Sequence, residues 1–374
     1  MAEAAGLADP SRLRWTVEAV DHESIIDTTG GLFDVRGYGH DGDAPAEWSC
    51  VVKALERSEG GECDPPDSWC YWRREAAFYS SDLPASLPAP LRAPRAYAVT
   101  ETSTSCWVWM ERVADDLVET WQPDDYHRVA AAAGESAGTQ LAHGRPPSRA
   151  WLVQGFMRHV LADGGLWAGL MSRESTGSAW TLPLVQESFD RVDNERYDSL
   201  WARRHDLLSV LDRLPPVLCH NDFHRRNVLL PKDGTAAPVV VDWAFAGTDA
   251  IATDAAHLMG GTIFFCDADV SHAEDLDATI FDGYLAGLRR GGWDGDERLV
   301  RLGFTVSIAL WQGLTLPGWV GLMLPEEEEV DVERLFGAPA ASVRDAWVEL
   351  YRFALQRADE AVSLSRQLGL SEAG

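Results

Sequence analysis

Residues 217–230 read V-L-C-H-N-D-F-H-R-R-N-V-L-L, and fifteen residues beyond Asn227 a second apolar run, V-V-V at 239–241, ends in Asp242 and Trp243. Asp222 therefore sits in a loop between two apolar stretches, Asn227 follows five residues later, and Asp242 closes a strand-like segment. Transfer of a phosphoryl group from a nucleotide asks for few protein groups. A carboxylate must orient and deprotonate the acceptor hydroxyl, oxygen ligands must hold Mg²⁺ against the phosphates, and a cation must fix the non-transferring phosphates. Asp222 is the candidate for the first task, and Asn227 and Asp242 for the second. Taken singly these residues are ordinary, because aspartates often end strands as solvated turns and H-x-D-x-x-x-x-N arises by chance. Followed by an apolar strand ending in Asp, and lying after a β-rich half, the pattern is specific.

Upstream of this stretch the chain reads as strands. Segment 14–26 carries Trp15, Val17, Ala19 and Val20, and 32–38 alternates apolar and polar residues as a half-buried strand does. Turn-like clusters lie at 28–31 and 39–45, and a third strand is predicted over 48–55, making an antiparallel meander. A Gly/Pro-rich loop at 59–67 precedes a short helix predicted over 68–80, and a proline-rich connection leads to a hairpin, 96–100 with 106–110. After Val113 the pattern turns helical. Val129, Ala133, Ala137 and Leu141 recur on one face, and a long helix is written from Val343 to Val362. Strand-like segments return only at 216–230 and 238–243. The expected layout is an N-terminal nucleotide-binding lobe over 1–113, a hinge near 110–114, and a helical C-terminal lobe over 114–374 holding the catalytic loop and substrate site.

His220-x-Asp222-x-x-x-x-Asn227 followed by Val-Val-Asp242-Trp243 resembles the aminoglycoside phosphotransferase family and its choline-kinase-like relatives. The resemblance implies an α+β, bilobal protein-kinase-like fold with a small antiparallel-sheet N-lobe and a mainly helical C-lobe. It implies Asp222 as catalytic base, Asn227 and Asp242 as magnesium ligands, His220 as a brace for the loop, and Asp254 as its support. Such folds place a lysine in the third strand and a glutamate in the next helix, paired on the α/β-phosphates. Here the third strand reads Cys50-Val51-Val52-Lys53, and Glu75 is the only acid between Asp67 and Asp82. Gly30 and Gly31 fall where a phosphate-covering loop belongs, although adjacent glycines also make a plain hairpin turn. Backbone groups near Glu111 and Val113 match the strand-to-hinge link that would bond the nucleotide base. Related loops commonly read H-G-D-L-H-P-G-N. His224 keeps the second histidine, Asn221 replaces the first glycine, and Arg225-Arg226 replace Pro-Gly. The two arginines either meet phosphate or an anionic substrate, or face solvent and pair with the acidic large lobe. Only eleven residues separate Asp242 from Asp254, too few for a long activation segment, and a small acceptor follows.

Composition narrows the function classes. The 374 residues carry a formal net charge of −27, which repels nucleic acid, so no nucleic-acid partner is expected. Neither a bilayer-spanning apolar run nor a signal peptide in residues 1–10 is expected, and a cytoplasmic protein follows. The six cysteines are scattered, lack zinc-site spacing, and are expected as free thiols. The acidic run at 326–329, near a loop expected from Pro317 onward, is either a solvated face or a site for a cationic substrate. The predicted activity is transfer of a phosphoryl group from ATP or GTP, with Mg²⁺, to a hydroxyl of an aminoglycoside, other natural product, nucleoside or amino sugar. The rival reading is a catalytically silent nucleotide-binding protein of the same fold. Its mark would be loss of the base, a metal ligand or the lysine, and the sequence keeps all of them.

Overall fold

A computed structural model describes residues 14–20, 29–41, 44–58, 60–114, 120–144, 146–161, 166–231, 237–324 and 329–370. The described chain divides into two compact units. The first takes the described part of Met1–Leu117 with Arg149–Val153 and Asn227–Ala246; the second takes the rest. The chain passes from the second unit to the first between Arg226 and Asn227 and returns after Ala246.

In the first unit five strands, Arg14–Val20 (β1), Thr29–Asp41 (β2), Ala44–Glu56 (β3), Ala96–Glu101 (β4) and Ser105–Glu111 (β5), form an antiparallel sheet in the order β1-β2-β3-β5-β4. Alternation decides its faces. Trp48, Cys50 and Val52 of β3 pack with Val35 of β2 in an apolar cluster, which leaves Lys53 to the opposite face. The expected turn at 39–45 is narrower than its sequence cluster, since Gly39 pairs with Ala46 and Asp41 with Ala44 and both strands run into it. The helix expected over 68–80 forms only at Arg74–Tyr79 (α1), because residues 60–73 are spent on turns. Those turns bring Cys63 and Cys70 to a Cα separation of 4.9 Å, and the pair is a disulfide. Free thiols were expected at both positions; Cys50, Cys106, Cys219 and Cys266 are free.

The second unit is mostly helical, built on Pro123–His143 (α2), Thr253–Phe264 (α3), Ala273–Arg290 (α4), Glu297–Met323 (α5) and Ala340–Gln367 (α6). Helix α5 corrects two expectations. It is long and apolar enough to cross a membrane, with a mean hydropathy of 1.4 in its most apolar window, yet 83% of that window is buried in protein, as in a core helix. It also contains Pro317, so no loop starts there. The acidic run lies outside the described residues except for Glu329, which opens a short helix to Phe336. The segment at 216–230 resolves into Pro216–Cys219 (β6), a loop, and Val228–Leu229 (β7); Val239–Val240 (β8) pairs with β7, and Gly247–Ala250 (β9) pairs with β6.

Candidate active site

The charged residues singled out in the sequence for phosphate, metal and proton transfer lie in two clusters, one in each unit. In the first, the Lys53 Nζ on β3 lies 2.8 Å from Glu75 Oε2 on α1 and 2.7 Å from Asp242 Oδ1. Lys53 and Glu75 are 5% and 1% exposed, whereas the Asp242 side chain keeps 26% of its surface. Burial by itself would strip the ammonium of its proton, but Asp242, then Glu75, hold it charged with a pKa above the ordinary lysine value. Burial pushes the Glu75 carboxyl up to about 7 against the pull of Lys53, and Asp242 is the member of the cluster open to solvent.

Local structure sets Asp242 in place. Its backbone is left-handed (φ 63°), which turns the chain sharply after β8. Trp243 then stacks on Phe78 of α1, ring centroids 4.2 Å apart, and its indole N–H donates to the Val240 carbonyl at 2.9 Å. The β7–β8 hairpin aligns Asn227 with this turn, since the Val241 N–H donates to the Asn227 carbonyl at 3.0 Å. A carboxamide and a carboxylate are hard oxygen donors that suit Mg²⁺, which takes few protein ligands and leaves the rest to phosphate and water. Among the described residues no group of three or more His, Cys, Asp or Glu forms a metal cage.

The second cluster surrounds Asp222. Strand β6 delivers His220, whose N–H donates to Asp254 Oδ2, and the Asn221 N–H donates to Asp254 Oδ1, both at 2.9 Å. Asp254 thus grips two successive amides of the loop from the first turn of α3. Asn221 is left-handed (φ 64°), a conformation asparagine tolerates well. The Asp222 N–H donates to His220 Nδ1 at 3.3 Å, and Asp222 Oδ1 lies 3.3 Å from His224 Nε2. The Asp222 side chain keeps 38% of its surface. Burial raises its pKa, but His224 first, then His220 and His257, outweigh that and bring it to about 2.

A family model described as a phosphotransferase enzyme family matches residues 73–297, more than half of the chain. The chain belongs to this phosphotransferase family. Glu75, His220, Asp222, Asn227, Asp242 and Asp254 lie inside the matched stretch, and Lys53 precedes it. No curated protein matches the sequence. Among solved structures, a microcompartment-associated aminopropanol kinase is 12% identical with a TM-score of 0.55, covering 96% of this chain and 95% of its own. That likeness shows the fold, a small antiparallel sheet followed by a mostly helical part. An amicoumacin kinase is 11% identical (TM-score 0.47; 92% and 91% of the two chains), and a hygromycin B-bound aminoglycoside phosphotransferase 14% (TM-score 0.45; 93% and 94%). At those two scores the likeness carries no argument.

The remaining expected site residues of this phosphotransferase are placed as follows. Gly30 and Gly31 are not a free turn. They open β2 at a β-bulge, where a Cβ on Gly30 would lie 2.5 Å from the Glu56 side chain. Glu111 ends β5 with its carboxylate paired to Arg92 at 2.8 Å and its N–H donating to the Arg95 carbonyl at 2.8 Å. Val113 lies just beyond, half-buried. Arg226 packs within the helical unit. Its guanidinium donates to the carbonyls of Leu335 at 2.7 Å and Phe265 at 3.2 Å and lies 3.8 Å from Asp267, so it is tied into the helical unit. Arg225 stacks over Trp121, 4.6 Å from the ring centroid.

Sequence reasoning missed three buried polar residues of this phosphotransferase. Arg74 is wholly buried and donates to the carbonyls of Trp69, Trp151 and Ala244, fixing α1 to the chain that follows Asp242. Asp249 accepts the Phe156 N–H at 3.0 Å, and burial pushes its pKa up to about 7. His257 is 6% exposed, with a pKa lowered by burial to about 4. The only signal for Arg74 is an arginine beside the glutamate of a short helix.

Proposed function

We propose that this phosphotransferase moves the γ-phosphoryl group of ATP or GTP onto a hydroxyl of a small molecule. The observation that carries the reading is the buried Lys53 ammonium held between Glu75 and Asp242. Three residues picked from separate parts of the sequence meet there in one ion cluster. Lys53 would fix the non-transferring phosphates, and Glu75 would hold the lysine in place. Asn227 and Asp242 would hold Mg²⁺, which when bound neutralises phosphate charge. Gly30 and Gly31 would cover the phosphates by backbone contact, and the chain from Glu111 to Val113 would meet the base. Because the Glu111 N–H is committed to Arg95, the Val113 backbone is the better candidate donor.

Asp222 would orient the acceptor hydroxyl and take its proton as the oxygen bonds to the γ-phosphorus and the bond to the departing diphosphate breaks. His220 would brace the loop through the Asp222 amide. The short passage from Asp242 to Asp254 holds one 3₁₀ turn and β9, then enters α3, which leaves no segment to dock a polypeptide and supports a small acceptor. Amino alcohols such as aminopropanol, aminoglycosides and nucleosides are the first acceptors to screen.

Asp222→Asn provides the test. Nucleotide binding, followed by calorimetry with Mg-ATP, should stay within about threefold, while turnover should fall by about 10²–10⁴. Undiminished turnover in that variant would remove Asp222 from the chemistry. Binding of Mg-ATP by the unaltered protein without transfer to any acceptor would favour a silent nucleotide-binding protein instead.

A further inference from the structure

The loop that carries Asp222 contains a second histidine that the proposed chemistry does not use. His224 is 8% exposed, and its two ring nitrogens face different partners. Nε2 lies 3.3 Å from Asp222 Oδ1, while Nδ1 receives the backbone N–H of Arg226 at 3.3 Å. Only a ring nitrogen with a lone pair can accept an amide N–H, so Nδ1 is unprotonated and the ring proton sits on Nε2, aimed at the carboxylate.

The imidazole is held on several sides. The Phe265 ring lies 4.6 Å away between centroids, and α3 approaches so closely that a Cβ on Gly261 would sit 2.7 Å from His224 Cβ. The amide that sets the tautomer is anchored as well, because the Arg226 side chain binds the Leu335 and Phe265 carbonyls and lies 4.4 Å over the Phe265 ring. Other titratable groups near Asp222 include His220 on its own loop and His257 and Asp254 on α3. His220 meets the Asp222 amide, and Asp254 holds the amides of His220 and Asn221. His224 meets the carboxylate itself.

We propose that His224 is a positioning residue whose Nε2–H tethers Asp222 Oδ1, fixing the rotation of that carboxylate before an acceptor hydroxyl arrives. The proposal rests on the reading of Asp222 as the base. It gives the Arg225-Arg226 pair a purpose, since Arg226 anchors the segment whose amide selects the histidine tautomer. A glycine at 226 could not make those side-chain bonds.

The test compares His224→Leu, which keeps bulk without a donor, with His224→Gln, whose carboxamide N–H can reach the place of Nε2–H. Turnover of Mg-ATP is measured with 1-amino-2-propanol, hygromycin B and adenosine as acceptors, and with water alone. Losing a hydrogen bond to a charged group should lower kcat about ten- to a hundredfold in His224→Leu, with KM for Mg-ATP changed less than about threefold. His224→Gln should recover most of that loss. Equal losses in both variants, or none in His224→Leu, would overturn the tether. Should His224→Leu fail to fold, ¹⁵N-histidine spectra of the unaltered protein decide, since a protonated Nδ1 on His224 at neutral pH is incompatible with the proposal. Asp222→Asn run in parallel separates the two claims. Full activity there removes the base assignment and the tether with it, whereas a silent Asp222→Asn beside an unimpaired His224→Leu removes the tether alone.

Discussion

Asn221 shows how much of the catalytic loop is decided by single residues outside it. Its N–H goes to Asp254, its side chain bonds Asp249, and its carbonyl meets the His257 ring, so three side chains orient the peptide that leads into Asp222. Two of these titrate in opposite senses. Burial raises Asp249 to about 7, so the folded chain keeps a proton that the unfolded chain has released. The stability this contributes is complete below the ordinary carboxylate value and is lost as pH rises through about 7. Burial lowers His257 to about 4, so its contribution is complete above about 6.5 and is lost as pH falls through about 4. Asp249→Asn removes the first effect alone. Between about pH 6 and 8 its stability relative to the unaltered protein should improve by about 1.4 kcal/mol, read from denaturant unfolding. A constant difference across that range would show that Asp249 does not titrate there.

At the scale of elements, helix packing reverses what propensity alone would say. Glycine inside a helix usually costs about 1 kcal/mol relative to alanine, so Gly287→Ala in α4 reads from sequence as stabilising. In the fold, a Cβ at Gly287 would lie 2.1 Å from the Ala131 carbonyl of α2, and one at Gly134 of α2 would lie 2.1 Å from the Tyr284 carbonyl of α4. The two backbones meet at these glycines. Gly287→Ala should therefore lower stability by about 1–3 kcal/mol, measurable as a drop in Tm, whereas an unchanged or higher Tm would mean the helices part without cost. Helix α6 was legible because its apolar residues recur on one face. Helix α5 was not, because its buried residues run all round it and leave no polar stripe to mark the period. Strands β7 and β8 were overestimated in length, since apolar runs continue past the two residues that pair.

At the scale of the whole molecule, charge is the dominant global quantity. A formal net charge of −27 means that acids far outnumber the arginines and lysines able to pair with them. Some pairing is dense. Arg301 bonds Asp277 and Glu360, each at 2.6 Å, and Arg357 reaches Asp277 at 3.0 Å. Such a partly buried network resists screening, but the surplus of exposed carboxylates repels itself through water. Raising NaCl from about 20 to 200 mM should accordingly raise Tm, because the Debye length shrinks to below about 10 Å. A Tm that falls with salt would mean that ion pairs outweigh net repulsion.

The sequence by itself determined the local patterns: the loop from His220 to Asn227, the strand that ends at Asp242, the lysine in the third strand and the lone glutamate after it. Each depends on residue type and spacing along a short stretch, which a chain cannot conceal. The resemblance already implied that Lys53 pairs with Glu75; only the tertiary structure decided what else meets these groups and what surrounds them. It added Asp242 to the Lys53–Glu75 pair, buried Arg74, Asp249 and His257, joined Cys63 to Cys70, and aimed His224 at Asp222. Burial and proximity depend on contacts between residues far apart in the chain, and no local pattern records them. The same physics that made the motif readable at short range left its electrostatics to the fold.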